Sequence, residues 1–364
     1  MSNAEEVKKA LVQAADAARF APSIHNTQPW RWVVRDGRLE LFGVAERQLT
    51  EQDPEGRMLL LSCGTALHHA QVALDAEGWR YEVTRPESPA DQASPADQAS
   101  PADHASPADH ASPADQASPA EQESPGRRVD EPLAVIQPTD REAIRPEATR
   151  HFQMLQVRRT DRRTVTDDAI PESTLSFLVK AAEEAGARLH VLDRDQVLEL
   201  AVAVEHAQKA QDTDERLRAE MATWVGGERS DDTGIPASAL PEELPLTTVA
   251  ERDFQAPGTL PAGEGHDRGA TYAVLYGTGD DGVDWLRGGE ALSRLWLTAA
   301  EQAVSLLPLS GPVEIPSTRF ALRRMLGDVG YPFLALRLGS LDPAHSAPPR
   351  TPRLPAGQVI EIVD

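Results

Sequence analysis

Ala21-Pro22-Ser23-Ile24-His25-Asn26-Thr27-Gln28-Pro29-Trp30 is the stretch on which the reading of this chain turns. It joins a predicted helix over 4–19 to a predicted strand over 30–35 and is rich in short polar side chains. Such a loop presents backbone N–H groups and Asn/Gln amides to a flat heteroaromatic ligand. The same residues also describe a well-capped turn whose prolines fix its path and whose Trp30 enters the core. The residues alone leave both readings open.

The sequence around the loop repeats itself. Leu11-Val12-Gln13-Ala14-Ala15-Asp16 returns as Leu178-Val179-Lys180-Ala181-Ala182-Glu183, and Gly64-Thr65-Ala66-Leu67 returns as Gly289-Glu290-Ala291-Leu292. Each second landmark opens a long Ala/Leu-rich helix followed by a short strand-like run. The landmarks stand 53 residues apart in the first half (11 to 64) and 111 apart in the second (178 to 289), a surplus of 58. The surplus is assigned to 225–268, which is dense in Gly, Pro, Asp and Glu and has no periodicity. That pattern describes a long loop of the kind that forms lids. The expected division is one half over 1–145 and a related half over 146–364.

Local patterns fill in the elements. Strands are predicted over 30–35 and 38–42 around Asp36-Gly37, a strong hairpin signal. A helix follows over about 54–76. Further helices are predicted over 172–185, 195–223 and 284–306, with strands near 79–84, 132–137, 188–192, 271–276 and 332–338. The mixture is α+β.

From Ser88 a hexapeptide, Ser-Pro-Ala-Asp-Gln-Ala, recurs six times with drift and ends at Glu123. A proline every six residues forbids a continuous helix or a central strand, and no large apolar residue is present to offset chain entropy. Residues 87–125 therefore read as a disordered insert in a surface connection. His104 and His110 within it read as repeat drift rather than metal ligands. The formal net charge of −22 argues against nucleic-acid and anionic-membrane partners. No run approaches the ~18 apolar residues that span a bilayer. The polar, acidic start gives no secretory pattern, and Cys63 stands alone, so a cytoplasmic location is expected, with no disulfide and no metal site.

A second stretch carries chemistry: Arg158-Arg159-Thr160-Asp161-Arg162-Arg163-Thr164, a positive spot in a very acidic chain. Guanidinium groups beside a hydroxyl suit a phosphate, although a solvated basic turn has the same composition. Together the two stretches resemble the nitroreductase family of FMN proteins. That family carries an Arg-x-Ser-x-Arg/Lys motif and a Pro-Ser-x-x-Asn-x-Gln-Pro-Trp loop. Its usual form is a homodimer in which one subunit supplies the basic motif and the other the loop.

Here the first half keeps the loop and the second half keeps the basic motif, with Thr160 where the family has Ser. The chain therefore resembles the Acg-like branch, whose members are fused pseudo-dimers with a lid. The resemblance implies an α+β nitroreductase-like fold, an internal pseudo-dimer that is a monomer in solution, and one FMN site. It implies that Pro22, Ser23, Ile24 and Asn26 contact the isoalloxazine, with Gln28 close by. It places Arg158, Arg159, Thr160 and Arg162 on the phosphate and pyrimidine edge, Ser310 and Gly311 near the reactive flavin nitrogen, and Arg350 and Arg353 as a phosphate-holding tail.

The function so implied is electron transfer from NAD(P)H through FMN to a quinone, nitro compound or similar small acceptor. The flavin carries the chemistry and no protein acid or base is required. The alternative is a flavin-sequestering protein with a closed lid. Three further signals are set aside. Gly277-Thr278-Gly279-Asp280-Asp281-Gly282 fits G-x-G-x-x-G, but Asp280 and Asp281 would repel a pyrophosphate. Adjacent His68 and His69 point apart on a helix, suit no single metal, and read as a partly buried face. Cys63 reads as an inert core thiol.

Overall fold

The computed structural model describes residues 3–86, 131–227, 232–245, 247–261, 266–340 and 347–363. The hexapeptide repeat, with His104 and His110, lies outside the described residues.

The first half opens with α1 (Asn3–Ala18), then β1 (Trp30–Arg35), β2 (Arg38–Gly43), α2 (Arg57–Ala76), β3 (Trp79–Thr84) and β4 (Ala134–Arg141). β1 and β2 form the expected hairpin, because Asp36 and Gly37 both take left-handed φ values, 50° and 71°, that match the twist of the strands. After α3 (Pro146–Val157) the second half follows with α4 (Glu172–Glu184), β5 (Arg188–Val191), α5 (Arg194–Thr213), α6 (Glu215–Trp224) and β6 (Thr271–Gly277). It continues with α7 (Gly282–Glu301), β7 (Val304–Leu309), α8 (Gly311–Glu314), α9 (Pro316–Met325) and β8 (Tyr331–Ser340), and ends with α10 (Ala356–Val359) and β9 (Ile360–Ile362).

The two sheets have one topology. The first runs β3-β4-β2-β1 and the second β7-β8-β6-β5, with every one of these neighbours antiparallel. Strand for strand, β1 matches β5, β2 matches β6, β3 matches β7 and β4 matches β8, and α2 matches α7. The chain is thus an α+β fold of two related halves. β9 comes last in the chain but pairs parallel with β1, so the tail closes on the sheet of the first half.

The halves meet where α2 crosses α7. A Cβ on Gly64 would stand 2.0 Å from Leu286 O and 2.9 Å from the Gly289 Cα; one on Gly289 would stand 2.0 Å from Leu61 O and 2.9 Å from the Gly64 Cα. Leu61 and Leu286 each precede their glycine by three residues, so the contact is two-fold symmetric. Leu61 is buried in the core of the second half and Leu286 in that of the first. Each such leucine contributes about 1.5–3 kcal/mol of burial that separation of the halves would remove.

Four expectations are corrected. The predicted helix over 284–306 ends at Glu301, because Ala303 turns the chain with φ 55° and Val304–Leu309 pair with β8 instead. The predicted helix over 195–223 is two helices: the Asp214 carboxylate accepts from Arg216 N and Leu217 N and starts a new one. α2 begins at Arg57 rather than near Pro54, after Gly56 in the left-handed region, with Asp53 accepting from Leu59 N. Finally, the surplus of the second half begins at 192, not 225. α5, α6 and the segment after them all stand where the first half has only the two-residue turn between β1 and β2.

Gly64→Ala is expected to lower stability by about 1–3 kcal/mol or more, since backbone rather than a side-chain tip blocks the new methyl. Gly357→Ala, with open space around it, is expected to stay within about 0.5 kcal/mol of the parent. Urea unfolding of the two variants checks both.

Candidate functional site

The Pro22–Trp30 loop is tied down onto one face of α2. Thr65 Oγ1 donates to Pro22 O at 2.6 Å, Ile24 N donates to Ser62 Oγ at 3.1 Å, and Gln28 N donates to Ser23 Oγ at 2.9 Å. His25, Asn26 and Gln28 all have positive φ, a conformation that costs energy outside glycine and persists because these bonds hold it.

Above the loop lies a cleft with a free volume of about 140 Å³, mostly apolar with a few polar groups in its lining. Pro22, Ser23 and Ile24 form one wall. Ser62 and Thr65 of α2 and Leu292 and Trp296 of α7 form the floor. Thr160 and Arg162 enter from the second half, as do Ser310 and Gly311 after β7, while 250–254 close the top with Arg252 and Phe254. The walls come from both halves, so the cleft exists only because α2 and α7 are in contact.

A buried polar network holds the top in place. Arg252 Nη2 donates to Glu314 Oε2 at 2.6 Å, and Gln211 Nε2 donates to the same oxygen at 2.7 Å. His25 Nε2 lies 3.1 Å from both Arg252 Nη1 and Gln52 Oε1. Burial, helped by the Arg252 charge, lowers His25 to about 4, so its ring is neutral near pH 7. Burial works to raise Glu314, but Arg252 together with His25 and the Ser310 hydroxyl outweighs it and leaves the carboxyl below its usual value. Glu251 is paired with Arg337, which also donates to Asp267 Oδ2 at 2.8 Å, a second buried ionic anchor at the same place.

At the Trp296 end is a different environment. The Arg158 guanidinium lies 4.6 Å from the Trp296 ring centroid, and its Nε and Nη1 are buried without a partner. Arg353 Nε is likewise buried and unpartnered. Burial, then the Arg353 and Arg159 charges, lower Arg158 to about 9; burial, then Arg159, Arg350 and Arg19, lower Arg353 to about 10. Buried guanidinium donors surrounded by more positive charge suit an anion.

The expected site residues divide into groups. Pro22, Ser23, Ile24, Thr160, Arg162, Ser310 and Gly311 line the cleft; Arg158 and Arg353 do not line it, and Arg158 lies behind it over the ring of Trp296, which does. Arg162 donates to Ala239 O at 3.2 Å, and burial lowers it to about 10. Asn26 and Gln28 turn away. Asn26 Nδ2 donates to Gly234 O and Pro352 O and its Oδ1 accepts from Arg353, while Gln28 Nε2 donates to Asp232 O and its Oε1 accepts from Leu354 N. They clasp the second half to the loop rather than line the cleft. Arg159 caps carbonyls at the end of α3, and Arg350 bonds Gln156 near the surface.

Sequence reading missed His25, Ser62, Thr65, Trp296, Arg252, Phe254 and Glu314. Only Ser62 and Thr65 left a signal, polar residues three apart in an apolar helix. His68 and His69, expected on a partly buried face, are both buried, and their Nδ1 atoms converge on one oxygen, Ser293 Oγ, at 2.9 and 3.0 Å. Cys63 is buried in the core, as expected, with its Sγ 3.2 Å from Pro29 O. The Gly277–Gly282 stretch is a turn in which Asp281 caps α7.

No family model matches the chain. A Mycobacterium tuberculosis H37Rv protein, Rv3131, provisionally named as an NAD(P)H nitroreductase, is 33% identical over 370 residues that cover 99% of this chain and 92% of the relative. The chain belongs to the nitroreductase-like family. A second relative in this family, the acg protein of the same organism, also provisionally named as an NAD(P)H nitroreductase, is 28% identical over 97% of this chain and 95% of its own. A solved nitroreductase with bound FMN from Desulfitobacterium hafniense DCB-2 is 12% identical, covers 59% of this chain and 98% of that one, and has a TM-score of 0.38, too low to bear on the present chain.

Two outcomes are expected of the residues around this cleft. Arg252→Ala strands the buried Glu314 and costs about 3–5 kcal/mol, whereas Arg252→Met with Glu314→Leu recovers most of it, as urea titrations will register. His25 is neutral when folded but titrates near 6.5 when unfolded, so its contribution is intact above pH 6.5 and is lost as the pH falls from there to about 4. His25→Asn, which tolerates the left-handed backbone, is expected to flatten the stability–pH curve in that window by roughly 1.4 kcal/mol per pH unit.

Proposed function

We propose that the chain binds FMN in the cleft between its halves and acts as an oxidoreductase, passing electrons from NAD(P)H to a small acceptor such as a quinone or nitro compound. One observation carries this reading: a cleft lined by the apolar side chains of Ile24, Leu292 and Trp296 has buried, unpartnered guanidinium donors close by, those of Arg158 over the Trp296 ring. A flat ring with a phosphate tail has that shape and charge. The flavin supplies the redox chemistry when bound.

The protein's part is to bind and orient. Arg158 and Arg353 would hold the phosphate. Arg162 and Thr160 would face the pyrimidine edge, where positive charge favours a negatively charged reduced ring. Ser310 and Gly311, which share the cleft with the Pro22–Ile24 loop, would lie near the reactive flavin nitrogen. Segment 250–254 excludes water, with 225–268 serving as the lid. Each half supplies a part the other lacks: α4 passes straight into β5 through Gly186, with no second copy of the loop. One flavin per chain and a monomer built as an internal pseudo-dimer follow from this reading.

A second reading, flavin sequestration without turnover, is favoured by one specific feature. The top of the cleft is held by two buried ionic anchors, Arg252–Glu314 and Glu251–Arg337, that opening would disrupt. An anaerobic visible spectrum separates the readings. Oxidised flavin that bleaches within seconds of adding NADPH or NADH supports the oxidoreductase. Flavin that resists both but bleaches with dithionite supports sequestration, and Arg252→Ala is then expected to admit the nicotinamide. A protein that takes up no flavin after incubation with FMN sinks both. Arg158→Ala is expected to weaken FMN binding about 10- to 100-fold by equilibrium fluorescence titration.

A further inference from the structure

His69 stands on the same face of α2 as Ser62 and Thr65, one turn beyond Thr65. Both of those residues line the cleft. The neighbouring helix α7 contributes Trp296 to the floor, and Arg158 lies over that ring. His69 is fully buried, and its Nε2 is a buried polar atom without a partner, as are Arg158 Nε and Nη1 and Arg353 Nε. After burial, the positive charges of Arg158 and, more weakly, Arg353 help to lower the His69 pKa well below the ordinary value, while a hydrogen bond between the ring and the Thr65 backbone opposes them. Buried, unpartnered nitrogens on three side chains remote in sequence are therefore within electrostatic reach of one another.

The other ring nitrogen is committed. Ser293 Oγ lies 3.0 Å from His69 Nδ1 and 2.9 Å from His68 Nδ1. A hydroxyl has one proton, so it donates to one ring and accepts from the other. If Ser293 donates to His69, the single proton of the neutral His69 ring is on Nε2, facing the corner, and His68 donates its Nδ1–H to Ser293. The reverse arrangement would aim a bare lone pair at any anion there. His68 and Ser293 each follow their helix's central glycine, Gly64 or Gly289, by four residues, so this relay lies at the pseudo-two-fold junction of the halves.

We propose that His69 is a further ligand of the phosphate monoester, donating from Nε2 between Arg158 and Arg353, and that Ser293 is the positioning residue that selects the required tautomer. The identity of the phosphate ester rests on the flavin reading above; the anion corner does not. Because a phosphate is recognised here by buried donors and not by surface charge alone, the site discriminates FMN from riboflavin through His69 as well as through arginine.

The test measures Kd for FMN and for riboflavin with wild type, His69→Asn, His69→Gln and Ser293→Ala, and melting temperature with and without inorganic phosphate. Asn keeps a polar group near the Nδ1 position but removes the donor facing the corner; Gln restores a donor near Nε2. His69→Asn is expected to weaken FMN about tenfold or more and leave riboflavin unchanged, His69→Gln to recover most of the loss, and Ser293→Ala to fall between. Equal FMN affinity in wild type and His69→Asn overturns the proposal while the flavin reading stands. A parallel loss for FMN and riboflavin also overturns it, because the effect is then structural. If wild type binds no flavin, the flavin reading fails. In that case inorganic phosphate that raises the melting temperature of wild type but not of His69→Asn still supports the His69 anion site, and no difference overturns it.

Discussion

Gly64 and Gly289 touch backbone to backbone, and the rest of the architecture depends on that contact. Only residues without a Cβ permit α2 and α7 to approach so closely. The approach lets each helix bury a leucine in the opposite core, Leu61 in one direction and Leu286 in the other. It also sets the floor of the cleft, since Ser62 and Thr65 on one helix and Leu292 and Trp296 on the other lie within two turns of the glycines. The same crossing brings His68, His69 and Ser293 together at the junction. A wider separation would open the core and pull the two contributions to the site apart.

Electrostatics then divides the cleft. The chain has a formal net charge of −22, yet the charges acting on Arg158 and Arg353 are all guanidiniums. Over the top of the cleft two buried arginines are paired, Arg252 with Glu314 and Arg337 with Glu251 and Asp267. Those pairs fasten the segment over the cleft, because an isolated charge in such a place is costly and a hydrogen-bonded pair is tolerated. The contrast between paired arginines over the top and unpaired ones at the Trp296 end separates residues that hold the fold from residues suited to hold a ligand.

Particular residues show how far local pattern reaches. Asp36-Gly37 specified its hairpin, since a two-residue turn with two positive φ values is a local matter. Val304–Leu309 did not specify their strand, because an apolar run after an Ala/Leu-rich helix continues the helical pattern, and only pairing with β8 decides the outcome. Asn26 and Gln28 were legible as site residues but not as clasps: their partners lie more than 200 residues away, on 232–234 and 352–354. His69 was legible only as a helix residue, since its meaning depends on Ser293, Arg158 and Arg353, none of them near it in the chain.

By itself the sequence determined the duplication, the α+β class, the hairpin and the two stretches that meet at the cleft. Repeats, turn residues and clustered guanidiniums are written within short windows, where backbone geometry and charge act directly. The tertiary structure alone decided that the surplus of the second half begins at 192, that β9 returns to the first sheet, that Asn26 and Gln28 turn away from the cleft, and which arginines are paired. Those are properties of contacts between distant segments. Pairing and burial depend on which side chains a fold brings within a few ångströms of one another, and no local pattern encodes that distance.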